Sequence, residues 1–78
     1  MDFLFHSVFK DGQHSKYFNV YQIESNRFLA ECHHFNRARD CEGDFELIRE
    51  GSTWKATNEK FENAALYIGE EIERAGKA

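Results

Sequence analysis

Apolar and polar residues alternate along most of the chain up to Ala56, which is the period of a β-strand. Strands are predicted over the ranges 3–10, 15–24, 27–35 and 45–50, with a short fifth one over 54–56. Three pairs that favour tight turns separate these segments, namely Asp11-Gly12, Ser25-Asn26 and Gly51-Ser52. Short turns join antiparallel neighbours. The pattern therefore predicts an antiparallel β-meander.

After Ala56 the apolar residues change to the period of an amphipathic α-helix. Thr57 or Asn58 can cap its N-terminus, and Glu59 then interacts favourably with the helix dipole. The apolar face is formed by Phe61, Ala64, Ala65, Ile68, Ile72 and Ala75. Gly69 lies in the middle of the helix, where glycine costs about 1 kcal/mol relative to alanine. We attribute this glycine to a close crossing of the helix over the sheet.

Together these elements predict a single α+β domain over residues 1–78. It has two layers, in which the C-terminal helix packs on one face of a four- to five-stranded antiparallel meander. The chain contains eight Phe, three Tyr and one Trp, and aromatic side chains bury a large area in so small a core. Two points stay open. The long loop predicted over residues 36–44 could bring strand four beside strand one, and Ser7 makes the inward face of strand one ambiguous.

One helix covers only one face of a sheet, so the second face needs a separate explanation. Phe18 and Val20 share the core face with Phe28 and Ala30. Alternation then places Tyr17, Tyr21, Ile23, Leu29 and Phe35 on the other face. This surface is more aromatic than a monomer usually exposes, unless the strand parity is wrong by one residue.

We predict that this second face is an interface formed by Tyr17, Tyr21, Leu29 and Phe35. The predicted function is a non-catalytic protein-interaction or regulatory module. Its partner is a second copy of the chain, in a homodimer, or another protein.

The alternative is a small-ligand or zinc-binding protein that uses Cys32, His34 and Cys41. Zinc prefers Cys and His ligands, although this spacing matches no common zinc motif. Cys32 and His34 point in parallel from one strand about 7 Å apart, so they do not form a nucleophile–base pair. The chain carries no phosphate-binding glycine loop and no nucleophile elbow. We therefore predict no enzymatic activity and no cofactor.

The net charge of −4 argues against anionic partners such as nucleic acids and membranes. Arg37 and Arg39 beside Phe35 resemble a contact for single strands, but Asp40 and Glu42 follow them and cancel much of their field. No segment has the length of a membrane span, and the N-terminus lacks the pattern of a signal peptide. Two cysteines do not form the disulfide framework of a small secreted domain, so we expect reduced thiols and a cytoplasmic location.

Overall fold

The computed structural model describes residues 1–33 and 43–76. Its strands are β1 (Asp2–Asp11), β2 (His14–Glu24), β3 (Arg27–Cys32), β4 (Phe45–Glu50) and β5 (Thr53–Ala56), and they are followed by a 3-10 turn (Glu59–Phe61) and the helix α1 (Glu62–Arg74). The strands form one sheet in the order β1-β2-β3-β4-β5, and every neighbouring pair is antiparallel. The predicted α+β meander is confirmed. Strand four lies beside strand three and not beside strand one.

The first hairpin turn lies one residue later than predicted. Asp11 still pairs with His14 at the end of the ladder, so Gly12 and Gln13 form the turn. Gly12 has a φ of 65°, a conformation that glycine adopts without a steric penalty. The other two predicted turns lie where the sequence places them.

Strand β3 is shorter than predicted: it ends at Cys32, whereas the sequence pattern predicts an end at residue 35. The backbone N–H of Cys32 donates to Asp44 Oδ1 at 2.7 Å, a side chain and not a neighbouring strand. The N–H of His33 still donates to the carbonyl oxygen of Tyr17 at 2.8 Å. Residues 34 and 35, and the predicted loop up to residue 42, lie outside the described residues.

A β-bulge resolves the ambiguous parity of the first strand. The register of β1 against β2 shifts between Phe3 and Phe5. Beyond the bulge, Ser7 lies opposite Phe18 and is buried on the core face. Before the bulge, Phe3 lies opposite Tyr21 on the other face. A bulge adds one residue to one strand only. Odd-numbered residues of β1 therefore lie on the other face before the bulge and on the core face after it.

The hydrophobic core lies between α1 and one face of the sheet. Its buried residues are Phe18, Val20, Phe28, Ala30, Phe45, Leu47, Trp54, Phe61, Ala64, Ala65, Ile68 and Ile72. The predicted helix face is thus confirmed, except that Ala75 is exposed at the C-terminal end. Asn58 caps the 3-10 turn, since its side chain accepts a hydrogen bond from Lys60 N at 3.1 Å.

The helix crosses the sheet most closely at Gly69, as the sequence predicts. A Cβ atom on Gly69 would lie 2.3 Å from Cγ of Trp54. The indole is held from several sides, because its Nε1 donates to Glu73 Oε1 at 3.3 Å and its ring lies 5.4 Å from that of Phe28. The guanidinium of Arg49 lies 5.8 Å from the indole centroid and 3.4 Å from the same Glu73 oxygen. Trp54 thus forms the contact surface on which the helix rests.

Candidate functional site: the outer face of the sheet

The face of the sheet opposite α1, here called the outer face, carries apolar side chains beside polar ones. Strand pairing and alternation place on it Phe3, His6, Val8, Tyr17, Asn19, Tyr21, Leu29, Glu31, Glu46 and Ile48. No helix or strand of the described ranges packs against this face. Phe3 is 50% exposed and Val8 is 40% exposed. Both values are high for large apolar residues of a compact domain.

The structure brings three of the four predicted interface residues together on the outer face. Tyr21 lies directly opposite Leu29 across β2 and β3, and Tyr17 lies opposite Val8 across β1 and β2. All three predicted side chains are partly buried by their neighbours. The fourth, Phe35, lies outside the described residues.

Phe3 is an outer-face residue that the sequence pattern missed. Its ring centroid lies 5.5 Å from that of Tyr21 and 5.1 Å from that of His6. Strict alternation along strand one would have placed it with Phe5, toward the core. Only the bulge moves it to the outer face, and neither Gly nor Pro marks that bulge in the sequence.

A polar network crosses the middle of the outer face and links three strands. Asn19 Nδ2 donates to Glu31 Oε1 at 3.2 Å, and the hydroxyl of Tyr21 donates to the same oxygen at 3.3 Å. Because a carboxylate only accepts hydrogen bonds, the amide nitrogen of Asn19 faces Glu31 and its oxygen faces His6. His6 Nδ1 lies 2.5 Å from that amide oxygen and is therefore the donor. The network pairs these four side chains with one another within the face itself.

The charged side chains at one end of the outer face also pair with each other. Arg27 Nε lies 3.3 Å from Glu46 Oε1, and Arg27 also lies 3.6 Å from Glu24 Oε1. Both Arg27 and Glu46 are less than half exposed. Isolated surface pairs of this kind contribute little stability. Their relevance here is that the charges already have partners before anything covers the face.

The network has a consequence for the ionisation of one tyrosine. Partial burial raises the pKa of Tyr21 above its ordinary value, and the nearby Glu31 carboxylate raises the same pKa further, by charge repulsion and by accepting the phenol's hydrogen bond. Each cause favours the neutral phenol over the phenolate.

We predict that Glu31→Gln lowers the pKa of Tyr21 toward its ordinary value. The substitution removes the carboxylate's charge, and an amide oxygen is a weaker acceptor for the phenol. The measurement is a pH titration of the tyrosine ring carbons by NMR in both proteins. An unchanged titration of Tyr21 would show that Glu31 does not contact it in solution.

A depression opens in the outer face beside the network. It has a volume of about 260 Å³. It is lined by His6, Ser7 and Val8 from β1, by Tyr17, Phe18 and Asn19 from β2, and by His33 just after β3. The depression therefore combines an apolar surface with aromatic and imidazole edges, and it lies on the face that the sequence predicts to be an interface.

The predicted zinc site is only partly within the described structure. Cys32 is disulfide-bonded, so the expectation of reduced thiols is wrong for this cysteine. A disulfide sulfur is not a thiolate, and zinc binds the thiolate form. His34 and Cys41 lie outside the described residues, as do Arg37 and Arg39. Among residues 1–33 and 43–76, no group of three or more His, Cys, Asp or Glu side chains is arranged to hold a metal ion.

Comparisons with known proteins give no further guide to the chemistry. No family model matches the chain, and neither a curated protein nor a solved structure is significantly similar to it. No catalytic family is therefore recognised. In the described part of the chain, no helix has both the length and the apolar composition to cross a membrane.

Proposed function

We propose that this protein is a non-catalytic interaction module that forms a homodimer through the outer face of its sheet. The observation that carries the proposal is a sheet face with no covering element among the described residues, on which Phe3 and Val8 are highly exposed. Tyr17, Tyr21 and Leu29 extend the same surface. Exposed apolar residues grouped on one uncovered sheet face are typical of a protein-binding site.

The size of the outer face agrees with a two-fold dimer. Neighbouring strands lie about 4.8 Å apart and each residue adds about 3.3 Å, so the sheet is roughly 20 Å wide and 20–30 Å long. One face then offers a footprint of about 500 Å², and two copies together bury about 1,000 Å². That total is near the lower limit for a specific protein interface. A dimer of moderate affinity is the expected result.

The hydrogen bonds and ion pairs of the outer face lower the cost of burying it in an interface. A buried polar group without a hydrogen-bond partner costs about 1–3 kcal/mol. Here Asn19, Tyr21 and Glu31 already bond to one another, and Arg27 already pairs with Glu46. A second sheet that covers the face therefore leaves the hydrogen bonds of Asn19 and Tyr21 to Glu31 in place. Two identical sheets can pack face to face with their strands nearly aligned, as in β-sandwiches.

The cellular location remains a separate proposal. The expected cytoplasmic location depended on reduced thiols, and the acidic composition of the chain bears only on its solubility. The disulfide of Cys32 argues for an oxidising compartment, because cytoplasmic thiols are usually kept reduced.

Replacing Tyr17 and Leu29 with lysine should convert the dimer to a monomer. Leu29 lies opposite Glu46 and next but one to Glu31, so a lysine there is paired in the single chain. Facing lysines in a dimer would repel each other and would remove two central apolar contacts. We expect the dimer dissociation constant to rise by about a hundredfold or more, as measured by sedimentation equilibrium.

The matched control is Asn63→Lys with Leu66→Lys, which adds the same charge on exposed positions of the helix side. This control should keep the wild-type dissociation constant. Circular dichroism should show that both variants remain folded. A dimer that persists in Tyr17→Lys/Leu29→Lys, or that is lost only in the helix-side variant, would place the interface elsewhere.

A further inference from the structure

We propose that Phe3 of each copy inserts into the outer-face depression of the other copy. This inference rests on the proposed homodimer and specifies its central contact. Phe3 is the side chain that inserts, and the depression of the other copy is the site that binds it. In a two-fold dimer the contact then occurs twice, because the same two surface elements meet in reciprocal order.

Phe3 has the properties of an inserting anchor. It is an exposed aromatic residue of the outer face, and aromatic side chains, Phe among them, are enriched in protein interfaces. Its ring already packs against the rings of Tyr21 and His6. These contacts restrict its rotation, so less side-chain entropy is lost when a partner binds.

The depression can accept a phenyl ring. A cavity of about 150 Å³ is large enough to bind benzene, and the depression measures about 260 Å³. Val8 supplies an aliphatic wall, while Tyr17 and the imidazoles of His6 and His33 supply ring edges and faces. Aromatic pairs favour offset or edge-to-face contacts, which such a set of walls can provide.

The positions along the strand agree with a two-fold exchange. Phe3 and Val8 both lie on the outer face of β1, on opposite sides of the row in which His6 pairs with Asn19. Consider a two-fold axis that lies between the two sheets, perpendicular to the strands and close to this row. Rotation about it places β1 of the second copy over β1 of the first in the opposite direction. It thereby places Phe3 of one copy over the region between His6 and Val8 of the other. The two depressions receive the two rings.

The direct test is an isotope-filtered NMR experiment on a mixture of labelled and unlabelled wild-type chains. We expect nuclear Overhauser effects between the Phe3 ring of one copy and the Val8 methyl groups of the other. A dimer without these signals would overturn the insertion and leave the dimer itself intact. A protein that is monomeric in the same sample would overturn both the insertion and the proposed function.

A variant series adds a binding readout to the same question. Phe3→Ala should weaken dimerisation about tenfold or more, and Phe3→Leu should restore part of the affinity. Leu66→Ala, on the exposed helix side, should leave the dissociation constant unchanged. Equal dissociation constants for wild type and Phe3→Ala would contradict the insertion, provided that both proteins are dimeric.

Discussion

Gly69→Ala is expected to lower the free energy of unfolding by about 2 kcal/mol, although alanine is the better helix former. Alanine gains about 1 kcal/mol of helix propensity over glycine. Its Cβ would, however, lie 2.3–2.5 Å from three atoms of the Trp54 ring, so the buried indole would have to move. Overpacking of this kind costs about 3 kcal/mol. The steric cost exceeds the gain in propensity, because contacts on several sides hold the indole in place.

The measurement is denaturant unfolding of Gly69→Ala beside Glu70→Ala, a neighbouring exposed position on the same helix. Glu70→Ala should stay within about 0.5 kcal/mol of wild type. Stabilisation by Gly69→Ala would mean that the helix does not rest on Trp54 in solution.

A double-mutant cycle assigns the effect of Gly69→Ala to the indole. Trp54→Ala removes Cγ, both Cδ atoms and the hydrogen bond to Glu73, so it is strongly destabilising alone. In that background the added methyl group should cost much less, since the three ring atoms that it would meet are absent. The expected coupling is about 1–2 kcal/mol in the favourable direction, within the usual range for residues in contact. Additive effects would contradict the assigned contact.

Phe45→Ala should cause a larger loss, of about 3–5 kcal/mol. Phe45 is buried, and its ring stacks on Phe61 at a centroid distance of 4.6 Å and meets Phe18 edge-on at 5.4 Å. It thus connects the start of the helical segment to the sheet. A typical domain has only about 5–15 kcal/mol of total stability, so this variant should be near the limit of folding.

Phe3→Ala is the matched control, because it removes the same side chain from the outer face. In a monomeric background, Tyr17→Lys/Leu29→Lys, it should cost about 1 kcal/mol or less, since Phe3 is half exposed. A monomeric background is needed because dimerisation itself raises apparent stability. Equal losses for Phe45→Ala and Phe3→Ala, measured by chemical denaturation, would show that the two faces have been assigned wrongly.

The residue pattern was sufficient to predict the architecture, because each strand and the helix has one apolar face that is buried in the core. Phe28 and Ala30 alternate with Leu29, and only one parity gives a continuous core. The apolar spacing from Phe61 to Ile72 similarly fits only a helix. The close helix–sheet contact at Gly69 was also predicted, because glycine lowers the stability of a helix interior and its presence there indicates a contact that leaves no room for a side chain.

The features that the sequence did not reveal depend on contacts between distant residues. The bulge that exposes Phe3 has no local signal, and it decides which aromatic residue is available to a partner. The network from His6 through Asn19 to Glu31 arises only from the register of three strands. The disulfide of Cys32 was not predicted, because two cysteines in a chain of this length do not by themselves specify a bond.

The most direct test of the proposed homodimer is the solution mass of the wild-type protein across a dilution series. The chain has a mass of 9.2 kDa. We expect a reversible equilibrium in which the mass approaches twice this value at high concentration and falls to the single-chain value on dilution. A protein that remains at the mass of one chain at every concentration would contradict dimerisation through the outer face.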